Sequence, residues 1–228
     1  MRLDVFTLFP EAFAWFLQQV HVARAREELG VRIELHDYRE HTPLSHGQVD
    51  DTPYGGGAGM VLRIDVVCAA IEAVFGGDAE RVAEGRRVVE LTPRGRQLDD
   101  ALCEAFAGGD LVVLCGRYEG IDERVRHVVT DRVSVGPYVL SGGEIAATAL
   151  LDAVVRKIEG AVSNPESVVR ESFSAGCGGE PEHPHFTRPA EYRGWAVPEV
   201  LLGGHHAEIE RWRRERRGEA RPADRSPG

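Results

Sequence analysis

Three short segments carry the residue types that could hold the polar edge of a small ligand. They read Leu91-Thr92-Pro93-Arg94-Gly95, Cys115-Gly116-Arg117-Tyr118-Glu119-Gly120 and Val135-Gly136-Pro137-Tyr138-Val139-Leu140-Ser141-Gly142-Gly143-Glu144. Each sets glycine or proline beside a strand end. Glycine lets backbone approach a ligand closely and adopt φ values that other residues avoid. Such backbone can offer N–H and C=O groups to an adenine edge or a ribose. Taken singly, each segment also reads as a tight turn, the commonest use of these residues. Three beside the strands of one sheet weaken that reading, because ligands of parallel α/β sheets bind at the carboxyl ends of strands. Nucleotide fingerprints are missing: no Gly-x-Gly-x-x-Gly follows the first strand, and no Gly-x-x-x-x-Gly-Lys-Ser/Thr occurs.

Other clusters point less sharply. Pro53-Tyr54-Gly55-Gly56-Gly57-Ala58-Gly59-Met60, entered through Asp50 and Asp51, is glycine-dense. It reads either as a mobile loop or as a lid or RNA-contacting loop. The pairs His183/His185 and His205/His206 lack the i, i+4 spacing of a helical zinc pair, and no cysteine pair has Cys-x-x-Cys spacing. No metal site is expected from them. Of the cysteines, Cys68, Cys103 and Cys115 sit in apolar surroundings and read as core thiols. The run Arg211-Trp212-Arg213-Arg214-Glu215-Arg216-Arg217 has a local charge of +4. It reads either as a solvated helix face or as a phosphate contact, for which arginine is well suited.

The elements that must position these residues follow from pattern. Strands are expected at residues 3–8, 31–35, 87–91 and 111–115, the last strongly apolar and central to its sheet. Helices are expected at 10–29, 65–75, 98–106 and 143–158, with Pro10 in a first helical turn and Gly30 and Gly76-Gly77 as stops. Pro93 and Gly95 are expected to end the strand at 87–91. Strands alternating with helices indicate an α/β domain with a largely parallel sheet. After Gly160 the character changes. Residues 161–189 are rich in Gly, Pro, Glu and Ser and read as a linker, or as a loop ordered on binding. Residues 191–217 regain pattern as a small helical domain, and 219–228 read as a frayed tail. The expected organisation is a domain at 1–160, an interdomain segment at 161–189 and a C-terminal domain at 190–228.

Composition sets the outer limits. The chain has 228 residues, 43% hydrophobic and 28% charged, which is ordinary globular usage. The net charge is −10, and of 27 basic residues all but Lys157 are arginine. That excludes binding nucleic acid through overall basicity, not through a local patch. No apolar run reaches the ~20 residues of a membrane span, and the start lacks a signal-peptide pattern, so a cytoplasmic protein is expected.

The segment Cys115-Gly116-Arg117-Tyr118-Glu119-Gly120-Ile121-Asp122-Glu123-Arg124 resembles the hallmark of the bacterial tRNA (guanine-N1)-methyltransferase family. Similarity to that family continues through Phe6-Thr7-Leu8-Phe9-Pro10, Asp50-Asp51-Thr52-Pro53-Tyr54-Gly55-Gly56-Gly57, Leu91-Thr92-Pro93-Arg94-Gly95, Tyr138-Val139-Leu140-Ser141-Gly142-Gly143-Glu144, His185-Phe186-Thr187-Arg188-Pro189 and Gly204-His205-His206. The resemblance implies a SPOUT-class, trefoil-knotted α/β domain followed by a small helical C-terminal domain. It also implies a homodimer that binds S-adenosyl-L-methionine in the knot and depends on magnesium. The implied reaction methylates guanine N1 at position 37 of tRNA, just 3′ of the anticodon and after a guanosine.

Residue by residue, the resemblance assigns Leu91, Thr92 and Pro93 to the adenosine pocket. Gly116, Tyr118 and Glu119 belong against the cofactor. Val135, Gly136, Pro137, Tyr138, Val139 and Leu140 hold adenine through backbone groups, and Ser141, Gly142 and Gly143 continue the knot. Asp51, Tyr54, Gly56, Arg188, His205 and His206 are implied RNA contacts. Arg156 matches an arginine near the target base. The family's general base is an aspartate before Ser-Phe; this chain reads Arg170-Glu171-Ser172-Phe173, so Glu171 takes the position with one extra methylene. Pro137 stands where the family often has Asp. The stretch 174–183 is longer than usual, leaving Glu180 and Glu182 as alternatives for a second acid, and the C-terminal domain ends early.

These parts fit one chemistry. Guanine N1 is protonated at neutral pH, and a carboxylate can take that proton as general base. An arginine can stabilise charge developing on O6. A non-catalytic RNA-binding relative, or a SPOUT protein with another RNA target, is the alternative; the intact cofactor loops argue against the former.

Overall fold

A computed structural model describes residues 1–218, and at 165 and 166 the backbone alone. The tail expected at 219–228 lies outside the described residues. Two compact units divide the chain, Met1–Ser163 and Asn164–Gly228.

The first unit runs β1 (Arg2–Thr7), α1 (Ala14–Leu17), α2 (Val20–Glu28), β2 (Arg32–Asp37), α3 (Tyr38–His41), β3 (Asp50–Asp51), β4 (Val61–Leu62), α4 (Ile64–Phe75), α5 (Ala79–Gly85), β5 (Arg87–Gln97), α6 (Asp100–Ala107), β6 (Leu111–Cys115), β7 (Asp131–Ser134) and α7 (Gly143–Arg156). Five of these strands form one parallel sheet in the order β2-β1-β6-β5-β7. The expected α/β class is found, with β6 in the centre. Every residue of β6 is buried. Leu111, Val113 and Cys115 enter one core, and Val112 and Leu114 enter the other. That alternation is the two-residue period of a strand covered by helices on both faces.

The start of α6 has a readable cause. The Asp99 side chain caps α6 by accepting from the Leu102 amide at 2.8 Å. Lys157, just past α7, pairs with Asp100 of α6 at 2.6 Å. The single helix expected at 10–29 is instead a 3-10 turn (Pro10–Phe13) followed by α1 and α2, broken at Gln19, whose ψ of 138° is extended. Phe13 and Phe16 are buried before the break and Val22 and Ala25 after it. On one continuous helix, Phe13 and Val22 would point in opposite directions, ~180° apart, so a break is what brings both to the core.

Two strand expectations need correction. β5 does not end at Leu91; it continues to Gln97. Leu91 and Arg96 both pair with Val133 of β7, so residues 92–95 are pushed out as a bulge whose mouth closes on one partner residue. A Cβ on Gly95 would lie 2.4 Å from the Val133 amide nitrogen, so only glycine fits there. β7 itself, and the short α5, carried too little apolar pattern to be expected.

The second unit contains α8 (Pro165–Val169), a 3-10 turn (Ala175–Cys177), the hairpin β8 (Glu191–Tyr192) and β9 (Trp195–Ala196), α9 (Glu199–Leu202) and α10 (His206–Glu215). Ser174 and Cys177 are buried in it. The Ser174 hydroxyl reaches the carbonyls of Val169 and Glu171 at 2.8 and 2.7 Å, and the Phe173 amide donates to the Glu180 carbonyl at 2.9 Å. No helix among the described residues is long and apolar enough to cross a membrane.

Candidate active site

The carboxyl ends of β5, β6 and β7 lie side by side, and the loops leaving them enclose a cavity of about 400 Å³. The β5 bulge contributes Leu91, Thr92 and Pro93 to its lining. The loop after β6 contributes Gly116, Tyr118 and Glu119. The loop after β7 contributes Val135, Gly136, Tyr138, Val139 and Leu140, with Gly142 and Gly143 at the start of α7. Pro137 and Ser141 belong to the same loop but do not line the cavity. The three segments singled out by glycine and proline therefore form one site.

Local hydrogen bonds hold these loops in shape. Ser134 donates its hydroxyl to the Gly136 carbonyl at 3.0 Å, and the Tyr138 hydroxyl reaches the Val135 carbonyl at 3.3 Å. Tyr138 itself stays half exposed beside the cavity. Tyr118 holds φ of +59°, a left-handed conformation uncommon for a non-glycine residue, which turns the chain between Arg117 and Gly120. The Gly120 amide donates to the Arg117 carbonyl at 2.9 Å across that turn.

The acidic, glycine-rich loop is tied to this rim. Glu119 donates its amide to the Met60 carbonyl at 2.9 Å, and Leu62 of β4 donates to the Gly120 carbonyl at 3.0 Å. β4 pairs with β3, placing Asp51 opposite Val61. Asp51 meets Arg63 at 3.2 Å, Tyr54 is fully exposed at the loop tip, and Gly56 takes a positive φ. Arg156 is the last residue of α7 and does not line the cavity. Glu171, Arg188, His205 and His206 belong to the second unit. There Arg188 lines a separate cavity of about 330 Å³, with Phe186 and Trp212 rings 6.1 Å apart, while His205 and His206 are exposed at the start of α10.

Several lining residues escaped the sequence reading. Glu90 is the clearest, and its signal was a lone acid inside the apolar run of β5. It is buried at 2% exposure, pairs with Arg132 of β7 at 2.7 Å, and Arg132 reaches on to Glu123 at 3.1 Å. Burial pushes the Glu90 carboxyl above its ordinary range despite Arg132. Hydrogen bonding from Arg132 pulls the exposed Glu123 below it. Arg94 joins at 3.0 Å from Glu123, bracing the β5 bulge. Arg117 also lines the cavity.

The cysteines behave as core groups. Burial raises the Cys115 thiol well above its ordinary value and that of Cys103 to about 11. Among the described residues, no group of three or more His, Cys, Asp or Glu is gathered as a metal site.

A family model described as tRNA (Guanine-1)-methyltransferase TrmD matches residues 1–226. A tRNA (guanine-N(1)-)-methyltransferase of Brevibacillus brevis is 47% identical over 229 residues, covering 98% of this chain and 90% of that protein. Proteins of the same name from Dehalococcoides mccartyi and Shouchella clausii are each 45% identical, covering 94% of this chain and 85% and 86% of theirs. With a match along nearly its whole length and relatives this similar, the chain belongs to the tRNA (guanine-1)-methyltransferase TrmD family.

Proposed function

We propose that this protein transfers a methyl group from S-adenosyl-L-methionine to guanine N1 of tRNA, at position 37 beside a preceding guanosine. The observation that carries the reading is the convergence of three strand-end loops on one cavity, in a chain matched to the family over residues 1–226. The cavity falls within the ~300–1,000 Å³ typical of small-ligand sites. Its walls suit an adenosine: apolar Leu91, Pro93 and Leu140, with exposed backbone on both sides. Gly136 is buried under the Tyr138 ring, so close that a Cβ there would sit 2.2 Å from it.

Bound there, S-adenosyl-L-methionine supplies an electrophilic methyl on a sulfonium sulfur that departs as a neutral thioether. The residues have separate tasks. The loops at Thr92, Gly116 and Val139 orient the cofactor. Glu171 takes the N1 proton, making nitrogen a competent nucleophile. Arg156 stabilises negative charge as it spreads to O6. Most of the acceleration comes from holding the reacting atoms in line. Asp51, Tyr54, Gly56, Arg188, His205 and His206 are assigned to RNA contact, and magnesium is assigned no residue.

The same reading includes a homodimer acting in the cytoplasm and a trefoil knot around the cavity. The knot is supported by the backbone bridge between Arg117 and Gly142 and by the Gly143 amide donating to the Gly116 carbonyl at 2.9 Å. It keeps 1–160 as the catalytic domain, 161–189 as the segment carrying the base and 190–228 as the tRNA-binding domain.

Single-turnover transfer from labelled S-adenosyl-L-methionine to transcripts with guanosine or adenosine at position 37 tests the reading. Transfer to guanosine alone is expected, falling about 10²–10⁴-fold in Glu171→Gln. Robust transfer by the variant moves the base to Glu180 or Glu182. No transfer by the wild type, with cofactor still bound, favours a non-catalytic RNA-binding protein or another RNA target.

A further inference from the structure

We propose that Thr7, Arg117 and Glu144 form a clamp that positions the cofactor-binding loops, with Thr7 and Glu144 set back from the cavity. The proposal rests on reading the cavity as the S-adenosyl-L-methionine site. Glu144 lies in the first turn of α7, and its side chain is only 5% exposed. A buried carboxylate is costly unless partnered. This one has a partner on each oxygen. Oε1 accepts from the Thr7 hydroxyl at 2.8 Å, and Oε2 lies 3.0 Å from Nε of Arg117. The second contact is an ion pair rather than an aligned hydrogen bond, so it holds by charge.

Each partner is itself fixed. Thr7 ends β1, is wholly buried, and accepts from the Phe9 amide at 3.0 Å, so its own proton is directed at Glu144. The Arg117 guanidinium lies 4.2 Å from the centre of the Phe9 ring, a cation–π contact. The backbone of Gly142 lies directly against this pair. A Cβ there would fall 2.3 Å from Nε of Arg117 and 2.5 Å from Oε2 of Glu144. The charged pair therefore closes over the chain just where the third loop becomes α7. It locks that backbone to the second loop, which it already meets through the Arg117–Gly142 bridge.

The division of labour follows from where the groups point. Gly116, Arg117, Tyr118, Leu140, Gly142 and Gly143 line the cavity, and Thr7 and Glu144 do not. Its carboxylate faces Thr7 and Arg117, so it acts on a ligand only by fixing the backbone that the ligand meets. It is a positioning residue.

Calorimetric titration of S-adenosyl-L-methionine into full-length wild type, Glu144→Gln, Arg117→Gln and the double variant tests this. Each single variant is expected to raise Kd at least about tenfold, because it leaves the other charge unpaired. The double variant should lose less than the product of the two single losses. A merely structural role would lower the melting temperature and leave Kd unchanged. Folded variants with wild-type Kd, or losses that multiply independently, overturn the clamp. Should Glu144→Gln fail to fold, Thr7→Val decides, since Thr7 does not line the cavity and the substitution removes the hydroxyl that holds Oε1 of Glu144. Wild type that binds no S-adenosyl-L-methionine overturns the cofactor reading itself, and the clamp with it.

Discussion

Reactivity at single residues is set by what surrounds them, and the thiols illustrate this. Cys115 ends the central strand directly beneath the cavity, the position of a nucleophile in many enzymes. Burial raises its pKa, as it raises that of Cys103 to about 11, so both stay protonated at neutral pH. The thiolate is the reactive form. Reaction of the native protein with a disulfide reagent at pH 8 should therefore leave both thiols unlabelled, while the urea-unfolded chain reacts fully. Rapid native labelling of Cys115 would contradict the burial argument. The proposed general base contrasts with this, because its assignment rests on the Arg170-Glu171-Ser172-Phe173 match rather than on its surroundings. Glu171 has a longer side chain than the family aspartate, and Glu171→Asp is the natural companion to Glu171→Gln in the transfer assay.

At the scale of elements, pairing between β5 and β7 shapes one side of the cavity. Val133 takes both Leu91 and Arg96 as partners, and the excluded bulge becomes part of the cavity wall. Glu90 and Arg132 face each other in that register and join the two strands. The Glu90 carboxyl is raised above 4.5, chiefly by burial. A proton is then held more tightly in the folded state than in the unfolded one. Its contribution to stability is full below about pH 4.5 and is lost as pH rises through the folded-state value. Asp65, Asp99 and Asp122 are shifted downward and act in the opposite sense. Comparing wild type with Glu90→Gln by urea unfolding across pH 4–7 cancels their effect. Wild type should lose stability relative to the variant as pH rises; a constant difference would show that Glu90 titrates normally. Pro93 and Gly95 were legible as breakers, but the resumption of β5 beyond them was not. Nothing local to Arg96 reveals that it pairs with a strand more than thirty residues away.

On the scale of the whole molecule, both hydrophobic clusters draw their buried members from residues up to Ala161, inside the first unit. The cavity is lined entirely by that unit, while Glu171 belongs to the second. A fragment of residues 1–163 should fold cooperatively and bind S-adenosyl-L-methionine, yet transfer no methyl to tRNA. Circular dichroism melting, calorimetry and the transfer assay check the three parts. A fragment that methylates tRNA would remove Glu171 from the mechanism.

Taken alone, the sequence determined the class of the fold, the centre of its sheet and the loops that line the cavity. These depend on local composition: five consecutive buried apolar residues in β6, and glycine or proline where the chain must turn. Motif similarity extended this to family and reaction. Only the tertiary structure decided that the helix expected at 10–29 breaks to present Phe13 and Val22 to one core, or that β7 closes the sheet. It also decided that Thr7, Arg117 and Glu144 meet. Those outcomes depend on close approach between segments as far apart as Thr7 and Glu144, and the energy of burying a charge beside its partner exists only once the chain has brought them together.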